Sequence, residues 1–278
     1  MKGVALKNRS EHFVELIVSR LQSLAAEIDA QWNSPEGTDT RHFYIDNLLP
    51  QEEAIAIYNA FPRSGDGFFN RESFREKKKT SAHLGDYDAI LADITYAIQD
   101  KRVVEVIENI TGLSKLEPDP KLYAGGLSMM FKDDFLNPHI DNSHDADRKR
   151  YRRLNLLYYV SPDWAVENGG NLELWDDGVR TPKTLHSAFN RLVVMETNKT
   201  SWHSVSPVVS DLPRCCVSNY YFSAESPDQS EYFHVTSFTG RPAEGLKRNI
   251  GVVDNALRNL AAKTLKIGRG RDQMKQDD

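Results

Sequence analysis

The stretch RLNLLYYV, residues 153–160, is one of several short runs in which apolar residues cluster or alternate. Turn-like stretches such as VENGGN (166–171) and SDLP (210–213) separate several of these runs. Short runs with this punctuation predict strands, so the second half of the chain is predicted to be a β-sandwich or jelly roll. The companion runs are LSMMF (127–131), NLELW (171–175), RLVVMET (191–197), SVSPVV (204–209) and CCVSNYYFS (215–223).

Helical patterns precede the strands. Ser10 is a candidate cap for a first helix, a second is predicted between Pro50 and Pro62, and a third runs from Tyr87 to about Ile110. Gly112 is placed to end the third helix. The first helix is predicted from apolar residues that fall on one face, namely Phe13, Leu16, Ile17, Leu21, Leu24 and Ile28.

Two further segments complete the predicted organisation. The polar stretch from Ser64 to Leu84 is too long for an ordinary connection, which leaves an active-site loop and a mobile surface loop as alternatives. Residues Val252–Leu265 have the pattern of a final amphipathic helix, followed by a charged tail. We therefore expect an α+β protein of one domain. Its parts are a mainly helical N-terminal part (1–118), a catalytic core (119–225) and a C-terminal helix and tail (226–278).

Composition excludes several classes of protein. The chain has 278 residues and a formal net charge of −5, which argues against general nucleic-acid binding because polyanions require a clustered basic surface. No apolar run approaches the roughly 18 residues of a membrane span. The stretch MKGVALKNRSEHF (1–13) has too short an apolar core for a secretory signal, so we expect a cytoplasmic protein. Cys215 and Cys216 are adjacent, a poor geometry for a disulfide, so we expect reduced thiols. The oligomeric state is left open.

The stretch NPHIDNSHD, residues 137–145, supplies candidate metal ligands. His139 and Asp141 are two residues apart, so on a strand both side chains point to the same face. His203, in TSWHSVSPV, is a candidate third ligand, and two imidazoles with one carboxylate form a facial triad suited to Fe(II). Arg214 begins the next apolar run, and a short turn would return it to the metal end, where its guanidinium can clamp a carboxylate.

His139, Asp141, His203 and Arg214, with the segments FLNPHID and GGNLELW, resemble the Fe(II)- and 2-oxoglutarate-dependent oxygenases, in particular the prolyl 4-hydroxylase-like branch. The resemblance covers about residues 120 to 225. It implies a double-stranded β-helix and an iron that is chelated by 2-oxoglutarate, whose distal carboxylate pairs with Arg214. It also implies hydroxylation of an unactivated C–H bond by dioxygen, with ascorbate as a candidate reductant.

One residue departs from the family pattern, and two basic runs lie outside it. Many relatives place a cosubstrate-binding tyrosine about nine residues before the first histidine, where this chain has Met130; Asn155 is the candidate replacement. The basic runs Arg148–Arg153 and Glu76–Lys79 either flank the site and attract an anionic substrate or are solvated faces.

The substrate is left open among peptidyl proline, an amino acid, a saccharide and a natural-product intermediate, because fold does not determine substrate. Two other functions remain as alternatives: a non-catalytic sensor that binds iron and 2-oxoglutarate, and a cupin-like metalloenzyme that has no use for Arg214.

Overall fold

The computed structural model describes residues 2–228 and 230–245. The predicted C-terminal helix Val252–Leu265 and the tail lie outside these residues. Among the described residues, no helix combines the length and the apolar character that crossing a membrane requires. The helices are α1 (Lys2–Ser23), α2 (Ala25–Asn33), α3 (Gln51–Ala60), α4 (Ala89–Ile98) and α5 (Lys101–Thr111), with short 3₁₀ turns at Leu84–Asp86 and Val166–Asn168.

The described strands form one rolled antiparallel sheet. They are β1 (His42–Asp46), β2 (Phe69–Glu72), β3 (Glu76–Ser81), β4 (Glu117–Pro118), β5 (Gly126–Met130), β6 (Phe135–Ile140), β7 (Tyr151–Tyr159), β8 (Leu172–Trp175), β9 (Pro182–Leu185), β10 (Arg191–Glu196), β11 (His203–Val205), β12 (Arg214–Ser223) and β13 (Ser237–Phe238).

The roll consists of two layers. The first has the order β1-β10-β7-β12-β5 and the second the order β6-β11-β8-β9, and β3 joins them by pairing with both β5 and β6. From β5 to β12 the chain passes back and forth between the layers, which is the double-stranded β-helix. The predicted fold class is therefore confirmed.

The alternation in β7 explains how the first layer is covered on both faces. Leu154, Leu156 and Tyr158 belong to the core that packs against the helices, whereas Tyr159 packs inside the roll with β8, β9 and β10. The helical layer is also tied to the sheet by polar contacts, since the Gln99 amide donates to Asn219 Oδ1 at 2.8 Å. One face of the first layer thus supports the fold and the other lines the site.

The structure corrects four predictions about the N-terminal part. The predicted first helix is two helices, α1 and α2, with a turn at Leu24 between them. Ser10 lies inside α1 and does not cap it. The predicted third helix is two helices, because the chain turns at Gln99 and the Asp100 side chain caps α5 by accepting from the backbone of Arg102. The stretch from Ser64 to Leu84 contains the β2–β3 hairpin rather than only a loop. Gly112 does end the last helix, in a left-handed conformation with φ of 69°.

Candidate metal centre and cosubstrate cavity

Antiparallel pairing brings the three predicted metal ligands together. His139 lies near the end of β6, Asp141 follows that strand, and His203 begins β11, directly opposite His139 in the ladder. Asp141 Oδ1 is 3.6 Å from His139 Nε2, and Asp141 Oδ2 is 3.7 Å from His203 Nε2. One ligand atom of each residue lies within 4.8 Å of the other two. Such a cluster can close around one ion.

Backbone carbonyls orient both imidazoles. His139 Nδ1 donates to the carbonyl of Asn137 at 3.0 Å, and His203 Nδ1 donates to the carbonyl of Ser201 at 2.9 Å. With Nδ1 protonated, each Nε2 keeps its lone pair for a metal, which is the usual arrangement of histidine ligands. Phe238 of β13 stacks on His139 with ring centroids 5.1 Å apart and fixes the ring further.

Burial and charge keep His203 and Asp141 in their metal-binding protonation states. Burial, assisted by the neighbouring His139, lowers the pKa of His203 to about 4. Burial alone would raise the pKa of Asp141, but Arg152 and the two histidines hold it well below its usual value. The site therefore presents a neutral His203 and an ionised Asp141 at neutral pH.

Arg152 is the cation at this carboxylate. Its Nη1 lies 3.0 Å from Asp141 Oδ2, its Nη2 donates to Asn142 Oδ1 at 2.8 Å, and its guanidinium stacks over Tyr220. Although Arg152 is close, Asp141 Oδ2 is buried and accepts no hydrogen bond from the described residues. A buried carboxylate oxygen that accepts no hydrogen bond and lies beside two imidazole Nε2 atoms fits a divalent metal, which would be its remaining partner.

The inner cavity is lined by the three candidate metal ligands and also by Arg214 and Asn155. Arg214 begins β12, is buried, and donates through Nη1 to the carbonyl of Gly170 at 3.1 Å. Its guanidinium lies 5.2 Å from the ring centroid of Tyr159. The triad and a buried arginine thus share one enclosed space, as the predicted clamp for a carboxylate requires.

Unsatisfied polar atoms mark the same region. Arg214 Nε, Asn155 Oδ1 and Tyr159 Oη are buried and have no hydrogen-bond partner among the described residues. Burial raises the pKa of the Tyr159 hydroxyl, which therefore remains a donor. Met130, opposite Arg214 in the β5–β12 ladder, is buried and apolar. The two donors among these atoms, Arg214 Nε and Tyr159 Oη, fit an anionic ligand with oxygen acceptors, such as 2-oxoglutarate.

A second space, the outer cavity, also has His139 and Asp141 in its lining. The β2–β3 hairpin contributes Arg71, Glu76 and Lys78 to its lining, and β7 contributes Arg152. Lys78, His139 and Asp141 are among the residues that line both cavities.

The comparisons agree with this geometry. Residues 125–222 match the model of the 2OG-Fe(II) oxygenase superfamily, a segment that contains His139, Asp141, His203 and Arg214. This segment, about a third of the chain, is therefore similar to that superfamily. It is 35% identical over 108 residues to a prolyl 3-hydroxylase, OGFOD1 of Xenopus laevis, an alignment that covers 37% of this chain and 19% of the relative. The chain thus spans about a fifth of the length of that curated relative.

Solved structures show the same fold. A Pseudomonas putida prolyl-4-hydroxylase superimposes with a TM-score of 0.52 at 18% identity, covering 72% of this chain and 98% of that one. A Trichoplax adhaerens prolyl hydroxylase, solved with a peptide fragment of hypoxia inducible factor, superimposes with a TM-score of 0.52 at 17% identity. That match covers 77% of this chain and 96% of the other. The chain therefore has a prolyl-hydroxylase-like fold.

Two residues of the site escaped the sequence analysis for a physical reason. Strict alternation from Asn155 would place Arg153, not Arg152, on the cavity face. The β7–β12 register shifts between Leu154 and Arg152, which skips Arg153 and redirects the chain. Tyr159 is on the inward face, but its sequence signal is indistinguishable from that of a core aromatic.

The other polar residues of the loop after Asp141 lie outside the triad. His144 packs against Tyr151, with ring centroids 4.2 Å apart, and Asp145 pairs with Arg150 at 2.8 Å. Within residues 2–228 and 230–245, His139, Asp141 and His203 are the group whose ligand atoms converge.

Proposed function

We propose that this chain is an Fe(II)- and 2-oxoglutarate-dependent dioxygenase that hydroxylates an unactivated C–H bond. The observation that carries the proposal is the inner cavity, which joins the convergent His139, Asp141 and His203 to the buried Arg214. A cupin-like enzyme of another reaction type would have no need for a buried arginine at this position.

Each site residue has a distinct task in this proposal. His139, Asp141 and His203 hold Fe(II), and Arg152 holds the Asp141 carboxylate in its ionised form. Arg214 pairs with the distal carboxylate of 2-oxoglutarate, with Tyr159 and Asn155 supplying further polar contacts. Fe(II) and 2-oxoglutarate, once bound, supply the activation of dioxygen and the oxidation of the substrate. The roll around them excludes water from the reacting groups.

A peptide is the substrate class that the comparisons favour. The Xenopus relative is named a prolyl 3-hydroxylase, and the Trichoplax structure contains a peptide fragment. In this proposal a side chain of the peptide enters through the outer cavity, whose lining includes His139 and Asp141. Ascorbate as the reductant that restores Fe(II), and a cytoplasmic location, belong to the same proposal.

The test is 2-oxoglutarate turnover measured by succinate release. We expect His203→Ala to abolish succinate formation and Fe(II) binding while far-UV circular dichroism stays unchanged, because the ligand lies on a short strand end rather than in the helical core. His12→Ala, at an exposed histidine of α1, is the matched control and should behave as the wild type.

A non-catalytic sensor gives a different pattern. It would bind Fe(II) and 2-oxoglutarate in the wild type, lose both in His203→Ala, and release no succinate in either. Full turnover in His203→Ala would refute the metal assignment itself.

A further inference from the structure

A short segment of the chain, residues 237–241, packs against the first candidate metal ligand, and we call it the strap. Within the strap, Phe238 is directly opposite His139 in the β6–β13 ladder. The backbone N–H of Thr239 donates to the carbonyl of Pro138 at 2.9 Å. The Phe238 ring is buried and stacks on the His139 imidazole, with ring centroids 5.1 Å apart and an angle of 19° between the rings. The orientation of this imidazole therefore depends on where the strap lies.

The ladder that holds the strap is short. β13 has two residues, Ser237 and Phe238, whereas strands in globular proteins usually have about 3–10. So short a ladder supplies few hydrogen bonds, and side-chain contacts then contribute more to the position of the strap. Arg241 Nη2 lies 2.8 Å from Glu173 Oε2 of β8 and donates to the carbonyl of Val205 of β11 at 3.1 Å. One side chain thus connects the strap to two strands of the roll.

The Arg241–Glu173 pair has the geometry of a strong interaction. Its length of 2.8 Å is within the range of about 2.7–2.9 Å for charge-assisted hydrogen bonds. The two side chains are 21% and 10% exposed, so salt screens this pair less than it screens a surface pair. The Ser204 hydroxyl donates to the same oxygen of Glu173, and the Trp175 indole donates to Ser204 Oγ at 2.8 Å. The carboxylate is therefore held in one position by its own neighbours.

Glu173 also connects the strap with the second candidate histidine. It is directly opposite Ser204 in the β8–β11 ladder, and Ser204 follows His203 in the sequence. The carboxylate thus contacts both the strand that carries His203 and the strap that stacks on His139. The ion pair fixes the strap relative to the two strands that provide the histidines.

We propose that Arg241 is a positioning residue of the metal centre, which holds the strap on Glu173 and so keeps Phe238 stacked on His139. An imidazole that is already oriented binds a metal more tightly, because its ordering is not lost from the binding free energy. Arg241 lies outside residues 125–222, so it is a feature of this chain beyond the segment that matches the superfamily model. The inference rests on the metal site of the function proposed above.

The test is NMR of the metal-free protein, because the ring current of Phe238 shifts the ¹H resonances of the stacked imidazole. Comparison with His139→Gln assigns these resonances, and Phe238→Leu gives their position without the aromatic ring. We expect Arg241→Gln to move them toward the Phe238→Leu position. Mn(II) affinity, measured by calorimetry at pH 7.5, should fall about threefold to tenfold, less than for loss of a direct partner of a metal ligand.

Further variants separate positioning from a general loss of stability. Arg241→Lys keeps the cation and should restore most of both effects. Glu173→Gln removes the other partner, so it should act like Arg241→Gln and add little to it in the double variant. Arg191→Gln is the matched control, since it breaks a 2.6 Å ion pair with Asp46 on the β1–β10 pair, and both measurements should stay as in the wild type.

Three results would overturn the inference. The first is unchanged His139 resonances in both Arg241→Gln and Glu173→Gln, and the second is an equal change in Arg191→Gln. The third is a shift of the resonances without any loss of Mn(II) affinity, which would leave Arg241 with a role in the strap alone. Failure of the proposed function is separate: the wild type would then show no Fe(II)–2-oxoglutarate absorption band, whatever the imidazole resonances do.

Discussion

Arg152 determines the charge state of the carboxylate that a metal would bind. It is 3% exposed, lies 3.0 Å from Asp141, and stacks on Tyr220, so its guanidinium has little freedom to leave the carboxylate. A nearby cation has two opposing effects on a metal site: it repels the metal but keeps its ligand ionised and oriented. For outer partners of metal ligands, orientation usually dominates, and their loss costs about 10- to 100-fold in affinity.

We therefore expect Arg152→Gln to weaken Mn(II) binding about tenfold, measured by calorimetry at pH 7.5. Arg180→Gln removes the same charge at an exposed arginine that pairs with Asp176, and should leave the affinity unchanged. Unchanged or tighter binding in Arg152→Gln would show that repulsion outweighs orientation at this site.

At the scale of single residues, the sequence predicted the local geometry where the spacing of two residues on a strand determines which face their side chains share. His139 and Asp141 share a face because a strand has a period of two, and the structure brings His203 beside them; their role as iron ligands stays a proposal. Arg152 could not be assigned because a single skipped residue in the β7–β12 ladder reverses the alternation.

Among the structural elements, the turn at Gly169–Gly170 connects the fold to the cosubstrate cavity. Gly170 has φ of 64°, and its carbonyl accepts from Arg214. A Cβ atom at this position would lie 2.9 Å from Arg214 Cδ. The glycine is therefore required both by its backbone conformation and by the side chain that crosses it.

Gly170→Ala should consequently weaken 2-oxoglutarate binding more than its stability loss explains. We expect destabilisation of about 1–2 kcal/mol from the left-handed backbone and displacement of Arg214 from its position. Urea denaturation and 2-oxoglutarate titration measure the two effects. Gly85→Ala is the control, since a Cβ there meets nothing within 4 Å, and an equal loss of 2-oxoglutarate affinity in both variants would contradict the explanation.

The sequence predicted apolar strands better than polar ones. The β7 and β12 runs were recognised from their apolar residues, whereas β3, with the sequence EKKKTS, was assigned to a loop. A strand that joins two layers at the rim of a cavity buries few apolar side chains, so its sequence lacks the apolar pattern from which strands are predicted. Its position between β5 and β6 depends on long-range pairing that local patterns do not contain.

At the scale of the whole molecule, the rolled sheet buries the candidate metal ligands. The burial of His203 makes the stability of the fold depend on pH. His203 has a folded-state pKa of about 4, below its ordinary value of 6.5. The unfolded chain therefore takes up a proton in this pH range that the folded protein does not, and stability falls as pH decreases from about 6.5 to about 4. The sequence predicted the fold class but not the order of the strands that bury His203, because a crossover between layers has no signature in the local sequence.

The expected effect is measurable in metal-free protein by urea denaturation. Between pH 7 and pH 5, the wild type should lose about 2 kcal/mol of unfolding free energy relative to His203→Gln, which cannot be protonated in this range. Parallel pH profiles for the two proteins would show that His203 titrates normally in the fold.

The most direct test of the central claim is an anaerobic titration of the protein with Fe(II) and 2-oxoglutarate, followed by the weak visible charge-transfer band of the chelated cosubstrate. We predict that the band appears in the wild type, is lost in His139→Ala, and requires about a hundredfold more 2-oxoglutarate in Arg214→Ala, because one partner of a buried ion pair is removed. Iron binding without the band in the wild type would contradict the assignment of the inner cavity to 2-oxoglutarate.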